Sequence, residues 1–437
     1  MTAWLIVMFA VLILLLMLGY PVALTLGFVS MVFGGIFLGL DFFNLLPLRI
    51  WGIMTNFTLL AVPLFVFMGI VLERAGLAEE LLETMGMLFG RMRGGLALSV
   101  VVVGALLAAT TGVVGATVVT MGVIALPAMM KHAYSPRLAT GTIAAAGTLG
   151  QIIPPSIILI LLGDVMGVPV GRLFVGAVVP GLILVGLFIV YVAIKAWRHP
   201  ESAPAISSAH VQNLPARVLF TLIPPLILIT AVLGSIFFGV ASPTESAAVG
   251  AVGALLLALA HRKLNLANLR ESMRLTTRLT SMVFLILIGA TAFGLVFRGM
   301  GGDRLVLDVM TNLPGGVWGF LAISMLLIFV LGFFLDFLQI CFIVVPILAP
   351  IAQHLQIDLL WFAVLIAVNL QTSFLTPPFG FSLFYLKAVT PAGIRIQDIY
   401  HGVIPFVIIQ AATILMIIVF PSLAVWLPDV LDRLYGL

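Results

Sequence analysis

Apolar residues in this chain neither alternate nor mark one face of a helix. They run on for whole segments, separated by knots of Gly, Pro and charge. The segments fall at 3–19, 21–40, 52–72, 95–131, 138–160 and 173–195, then at 217–238, 244–261, 278–298, 317–353, 359–386 and 400–425. Runs such as Ala3–Leu18, Pro21–Leu40 and Gly176–Val192 have the ~20-residue length that carries a helix across a hydrocarbon core. Apolarity of that extent predicts an all-α polytopic membrane protein, because only helices satisfy their own backbone in lipid. The one obvious linker, 198–216, begins Arg198-His199-Pro200-Glu201-Ser202. Composition agrees: the 437 residues are 63% hydrophobic and 8% charged, against about a quarter charged in soluble domains. Met1-Thr2-Ala3-Trp4 places no basic residue ahead of the first apolar run, so that segment is expected to be a retained helix and not a cleaved signal.

The two sets of segments share one spacing. A shift of 223 residues lays Pro127 on Pro350 and Pro154-Pro155 on Pro377-Pro378, and brings 95–131 onto 318–354. Agreement of prolines and segment lengths at one offset predicts a duplication, with repeats at 1–197 and 217–437. In each repeat one segment is too long for a single crossing and is interrupted. The first, 95–131, breaks at Thr110-Thr111-Gly112; its partner, 317–353, breaks near Gly332 and Asp336. Such a piece either crosses twice, giving seven crossings per repeat, or turns back, giving five spanning helices plus a re-entrant helical hairpin and a broken helix (138–160 and 359–386). An odd number of crossings inverts the second repeat, the plan of many secondary transporters, whose sites lie at broken helices near the midplane.

Charge supplies the orientation. With the linker in the cytoplasm, fifteen of the twenty Lys and Arg fall on the cytoplasmic side. Only Arg49, Arg172, Arg298, Arg304 and Arg433 fall outside, a clear positive-inside bias. Both termini are then expected on the periplasmic face of a bacterial inner membrane. The same placement accounts for the pI near 9.5 without nucleic acid. The single cysteine, Cys341, excludes an intrachain disulfide and a Cys-based metal cluster. The six histidines lie near segment ends or in loops, and no GxxxxGK[ST], HExxH or CxxC occurs, so no cofactor is expected.

Candidate chemistry lies where backbone must be irregular at membrane depth, a situation tolerated only inside protein or along a cavity. A Pro-Pro pair removes two amide donors and leaves upstream carbonyls unpaired. Such oxygens, with nearby hydroxyls, suit a dehydrated alkali cation. The repeat then predicts two alkali-cation sites: Thr111, Val113, Gly150, Ile153 and Pro155 in the first half, and Phe334, Asp336, Ser373, Thr376 and Pro378 in the second. Asp336 is the sharpest residue, since a mid-membrane carboxylate is costly and functional by default; it also reads as a helix cap. Glu245, in Ser242-Pro243-Thr244-Glu245, reads as an ordinary helix start. The solute is expected between Thr110, Thr111, Asp336 and Gln339, with Gln371 and Thr372 beside it. Arg298 is a further substrate candidate from the outer side, or snorkels to the headgroups.

The hairpin and broken-helix stretches resemble the large membrane subunit of the tripartite ATP-independent periplasmic (TRAP) transporters, the DctM-like family of the ion transporter superfamily. The matching residues are Gly112, Gly122 and Pro127, then Gly147-Thr148-Leu149-Gly150 and Ile153-Pro154-Pro155-Ser156. In the second half they are Gly332, Asp336, Pro346, Pro350 and Thr376-Pro377-Pro378, with Thr244-Glu245-Ser246-Ala247-Ala248 also typical. The resemblance implies sodium-driven import of an organic acid anion by an elevator movement. It implies a small four-helix DctQ-like membrane subunit and a DctP-like periplasmic substrate-binding protein as partners, besides membrane lipid. One departure stands at the first hairpin tip, where Thr111-Gly112-Val113 replaces a Ser-Gly-Ser pattern and Val113 offers only backbone. A stand-alone dicarboxylate or citrate-type permease of the same superfamily is the alternative. A membrane-embedded enzyme lacks a nucleophile–base pair, and a channel fits paired hairpins and broken helices less well.

Overall fold

The computed structural model describes residues 2–111, 114–205, 214–377 and 380–435. Every regular element among them is helical. Seven helices are long and apolar enough to cross a bilayer, and Leu40–Met54 with Thr58–Arg74 makes an eighth if the two are joined across a 56° bend. The protein is a multi-pass membrane protein. Its spanning helices keep large apolar side chains outward as well as inward; Ile6, Phe28, Ile227 and Leu256 are all more than half exposed. That is what an apolar solvent allows and water does not.

The helices repeat at the offset of 223. Val22–Phe37 corresponds to Pro243–Ala260, and Leu46–Met54 with Ala61–Arg74 to Leu266–Gly299. Gly95–Thr111 corresponds to Val317–Leu331, Pro136–Thr148 to Leu359–Leu375, and Val170–Arg198 to Ile396–Val419. Packing follows the same exchange. Val22–Phe37 lies on Leu266–Gly299, while Pro243–Ala260 lies on Ala61–Arg74, the same two elements drawn from opposite halves. Both seams are close. A methyl group at Gly289 would come within 2.6 Å of the Ala23 carbonyl, and one at Gly250 within 2.7 Å of Met68 Sδ. Small residues of this kind let membrane helices approach closely.

Two short helices, Leu77–Phe89 and Gly302–Thr311, occupy stretches that the hydropathy pattern left between spans, and a third, Ser422–Tyr435, follows the last of them. The first two are themselves repeat partners. Leu77–Phe89 presents Glu79 and Glu80 in its first turn, where the helix dipole favours acids. Its outer face is tied to the second half through Glu83–Arg217 at 2.6 Å and Glu80–His261 at 3.4 Å. Leu266–Gly299 also begins twelve residues before the predicted 278, because Asn265 caps it and its first turns are polar. The capping box expected at Glu245 is present: Ser242 Oγ accepts from the Glu245 amide, and the Glu245 carboxylate accepts from the Ser242 amide.

Candidate functional site

The two interrupted segments are helical pairs. Gly95–Thr111 packs against Val114–Lys131, with Gly112 and Val113 outside the described residues. The side chains of Thr110 and Thr111 likewise lie outside what the structure describes. Val317–Leu331 ends on Gly332, and the chain resumes as Phe337–Gln339, a π-helical Ile340–Val344 and Val345–His354. Asp336 makes the restart. Its backbone is extended, and its Oδ1 accepts from the Phe337 amide at 2.8 Å. The cap reading of Asp336 is therefore present, and its second oxygen remains able to accept. The half-buried carboxylate also lies within electrostatic reach of Tyr385 and Cys341.

The two breaks lie where the prolines put them. Pro136–Thr148 tightens into Leu149–Gln151, residues 152–156 carry no helix, and Ile157–Met166 follows. Leu359–Leu375 stops at an extended Thr376, and Phe381–Val389 follows; Pro378 lies outside the described residues. Each break meets its own hairpin through a small residue. Gly332 lies against Ser373 so closely that a methyl group there would collide with the Ser373 side chain. In the first half Gly150 faces the Ala108 backbone, with Ala108 Cα 3.6 Å from where a methyl group would sit. The hydroxyls of Ser373 and Thr376 donate to the Leu370 and Thr372 carbonyls at 2.8 and 2.7 Å. Their protons thus spent, both oxygens keep lone pairs for an acceptor role.

Between the breaks is a buried polar knot. Thr148 Oγ1 donates to the Ala145 carbonyl and accepts from Gln371 Nε2 and Gln410 Nε2, each at 3.3 Å. Thr148 and Gln371 are repeat partners, 223 residues apart. A residue that touches its own counterpart sits where the exchange of the two halves is centred. The side-chain carbonyls of Gln371, Gln410 and Gln339 find no hydrogen-bond partner, nor does either polar atom of Gln151. Tyr385 packs on the first hairpin: its ring lies 3.1 Å from the position of a methyl group on Gly115.

A cavity of about 710 Å³ is lined on one side by the second hairpin. One wall is Leu48–Leu59 with Leu287–Asp303; the other is Asp164, Val165 and the hairpin residues Phe342, Ile343 and Pro346. Phe342 follows Asp336 by six residues, about 9 Å of helix rise. Arg298 lines this cavity, together with Arg49, Asn56 and Asp303. The structure thus separates Arg298 from Gln371 and Thr372, which are fully packed away at 0% and 2% exposure. Asp336, Gln339, Ser373 and Thr376 are gathered at the second hairpin and break. Phe334, at the tip, is 46% exposed.

Asp336 and Glu245 are the acids that the apolar runs of the sequence place in or at the edge of a segment. Asp164 is a further one, in the last turn of Ile157–Met166, held by the Asn56 amide. The second part of the broken helix runs six residues beyond 160, which is why Asp164 looked like loop. Tyr385 carried no signal except its place after a Pro-Pro break.

Comparison with known proteins agrees with this architecture. The family model "Tripartite ATP-independent periplasmic transporter, DctM component" matches residues 9–423. The chain is 30% identical over 387 residues to the C4-dicarboxylate TRAP transporter large permease protein DctM of Pseudomonas aeruginosa, covering 88% of this chain and 89% of that one. It is 29% identical over 417 residues to the sialic acid TRAP transporter large permease protein SiaM of Vibrio cholerae, covering 95% and 96%. The crystal structure of the Alcanivorax borkumensis YdaH transporter superposes with a TM-score of 0.63 at 15% identity, covering 95% of this chain and 98% of that one, and so shares the fold. The chain belongs to the DctM-component family of the TRAP transporters, as a large membrane permease and not an enzyme.

Proposed function

We propose that this permease couples sodium entry to the import of a small organic acid anion delivered by a periplasmic binding protein. The observation that carries the reading is the pair of hairpin–break contacts, Gly332 with Ser373 and Ala108 with Gly150, centred on the repeat partners Thr148 and Gln371. Two like contacts about one centre are what two inverted repeats with five crossings each produce. Each brings backbone oxygens to a broken helix, joined in the second half by the Ser373 hydroxyl, the setting for an alkali cation. Thr111, Val113, Gly150, Ile153 and Pro155 form one site; Phe334, Asp336, Ser373, Thr376 and Pro378 form the other. Asp336 beside an anionic solute costs repulsion of ~1–4 kcal/mol at 4 Å, relieved once sodium binds it. Sodium therefore binds first, and the two affinities reinforce each other.

The hairpins and broken helices move as one body against a scaffold of Val22–Phe37, Ala61–Arg74, Pro243–Ala260 and Leu266–Gly299, an elevator. Asn56 to Asp164 and Thr120 to Glu73, the latter at 2.7 Å, are hydrogen bonds that cross that division, and both break as it moves. The solute lies between Thr110–Thr111 and Asp336–Gln339. Gln371 and Thr372 join it once the hairpins part, and Arg298 meets it from the cavity. The membrane partner is a four-helix DctQ-like subunit, the soluble one a DctP-like binding protein, and both termini are periplasmic in the inner membrane. The relatives carry names for C4-dicarboxylates and sialic acid, both carboxylates. Proteoliposomes holding both membrane subunits test the reading. Uptake needs an inward sodium gradient and the loaded binding protein together. Equal uptake without the binding protein makes the chain a stand-alone permease, and equal uptake in potassium removes sodium coupling.

A further inference from the structure

The 710 Å³ cavity is of the size of small-ligand sites, roughly 300–1,000 Å³. Its polar groups are few: Arg49, Asn56, Asp164, Thr291, Arg298 and Asp303, set in walls otherwise of Leu, Ile, Val, Phe, Ala, Gly and Pro. Arg49 and Arg298 come from separate helices, Leu46–Met54 and Leu266–Gly299. Neither guanidinium, nor Asp303, has an ion-pair partner within 4.0 Å among the described residues. Asp164 accepts from the Asn56 amide on one oxygen and can still accept on the other. Two unpaired guanidiniums match a carboxylate, whose two oxygens their planar forks fit. The two acids act against a second carboxylate and in favour of hydroxyl or ammonium donors. Asn56, which holds Asp164, lies just past the C-terminus of Leu46–Met54, so one short stretch of chain supplies both Arg49 and the group that orients Asp164.

We propose that this cavity is a subsite for a monocarboxylate bearing hydrogen-bond donors, of the hydroxy-acid or amino-acid class, and that it disfavours dicarboxylates. The carboxylate lies between Arg49 and Arg298, and hydroxyl or amino groups donate to Asp164 and Asp303. The assignment rests on the permease reading only for the direction from which solute arrives. It places a first point of discrimination away from the hairpin tips, on the path towards Asp336.

The test needs neither sodium nor the binding protein, so its outcome and that of the uptake experiment are independent. A cysteine at Gly52 is introduced into the complete membrane complex in lipid nanodiscs; a side chain there meets no atom within 4 Å, and the native Cys341 is buried. Its labelling by a thiol reagent is followed in sodium-free buffer with three six-carbon probes: gluconate, adipate and sorbitol. Gluconate is expected to protect at concentrations ~5–10-fold below adipate, the size expected of one added like-charge contact, and sorbitol not at all. Arg49→Gln should raise the gluconate concentration needed about tenfold, and Arg49→Lys by less. Asp303→Asn should bring adipate to within about threefold of gluconate. Adipate equal to or better than gluconate, no protection by gluconate, or protection untouched by Arg49→Gln overturns the proposal. Size-exclusion profiles matching the parent protein show that each variant is folded.

Discussion

Replacing Gly332 by Ala probes the contact on which the second sodium site depends. The added methyl group collides with the Ser373 side chain and comes within 3.2 Å of the Ile328 carbonyl. Overpacking of this kind costs about 1–3 kcal/mol, which at 1.4 kcal/mol per decade is a loss of roughly 5- to 150-fold in the closed hairpin. Loss of freedom in the unfolded chain runs the other way by ~0.4–1 kcal/mol, since Gly332 caps its helix at φ −65°, which Ala also adopts. The net effect is small on global stability and large on hairpin closure. Sodium-driven uptake in proteoliposomes should therefore fall about tenfold, with the apparent sodium affinity weakened and melting shifted little. The repeat supplies the rescue. The first-half counterparts of Gly332 and Ser373 are Ala109 and Gly150. The double variant Gly332→Ala/Ser373→Gly installs that pair in the second half and removes the clashing hydroxyl. It should recover at least half of the lost closure while keeping a deficit in sodium affinity, because one hydroxyl oxygen is gone. Normal uptake and sodium affinity in Gly332→Ala, or no recovery in the double variant, refutes the contact as a determinant of the site.

Asp336→Asn should weaken sodium dependence more than abundance, and Asp336→Ala should abolish uptake in a protein that still inserts; normal transport by the Ala variant reduces Asp336 to its capping bond. Thr148→Val leaves the amides of Gln371 and Gln410 without their acceptor, at a cost of about 1–3 kcal/mol. It should lower the melting temperature in detergent, whereas unchanged melting shows that the knot adds no stability. Cysteines at Glu201 and Leu434, both exposed, should label from opposite membrane faces; same-side labelling removes the inverted arrangement.

Membrane character, the offset of 223 and both breaks were legible in the sequence, because each is written in long-range hydropathy or in prolines whose backbone effect is local. Gly332 and Asp336 were legible for the same reason: one ends a helix and the other starts one. Leu77–Phe89 and Gly302–Thr311 were not, since an amphipathic helix lying between spans has too little apolar run to register against them. Asp164 was missed because its helix is short and ends only six residues past the predicted boundary. Arg298 was legible as a cation ending its helix on the outer side; the cavity it shares with Arg49, Asn56 and Asp164 was not, because only tertiary packing brings them together. The burial of Gln371 against Thr148 was likewise beyond sequence, although the two are partners under the very offset the sequence displays.

The central claim is coupling through two repeat-related sodium sites, and the stoichiometry of transport tests it most directly. In proteoliposomes with both membrane subunits and the loaded binding protein, the membrane potential at which net solute flux reverses is measured against imposed sodium gradients. Two sites require at least two sodium ions per solute and a reversal potential that moves accordingly with the sodium ratio. A ratio of one, or a reversal potential indifferent to sodium, contradicts the account.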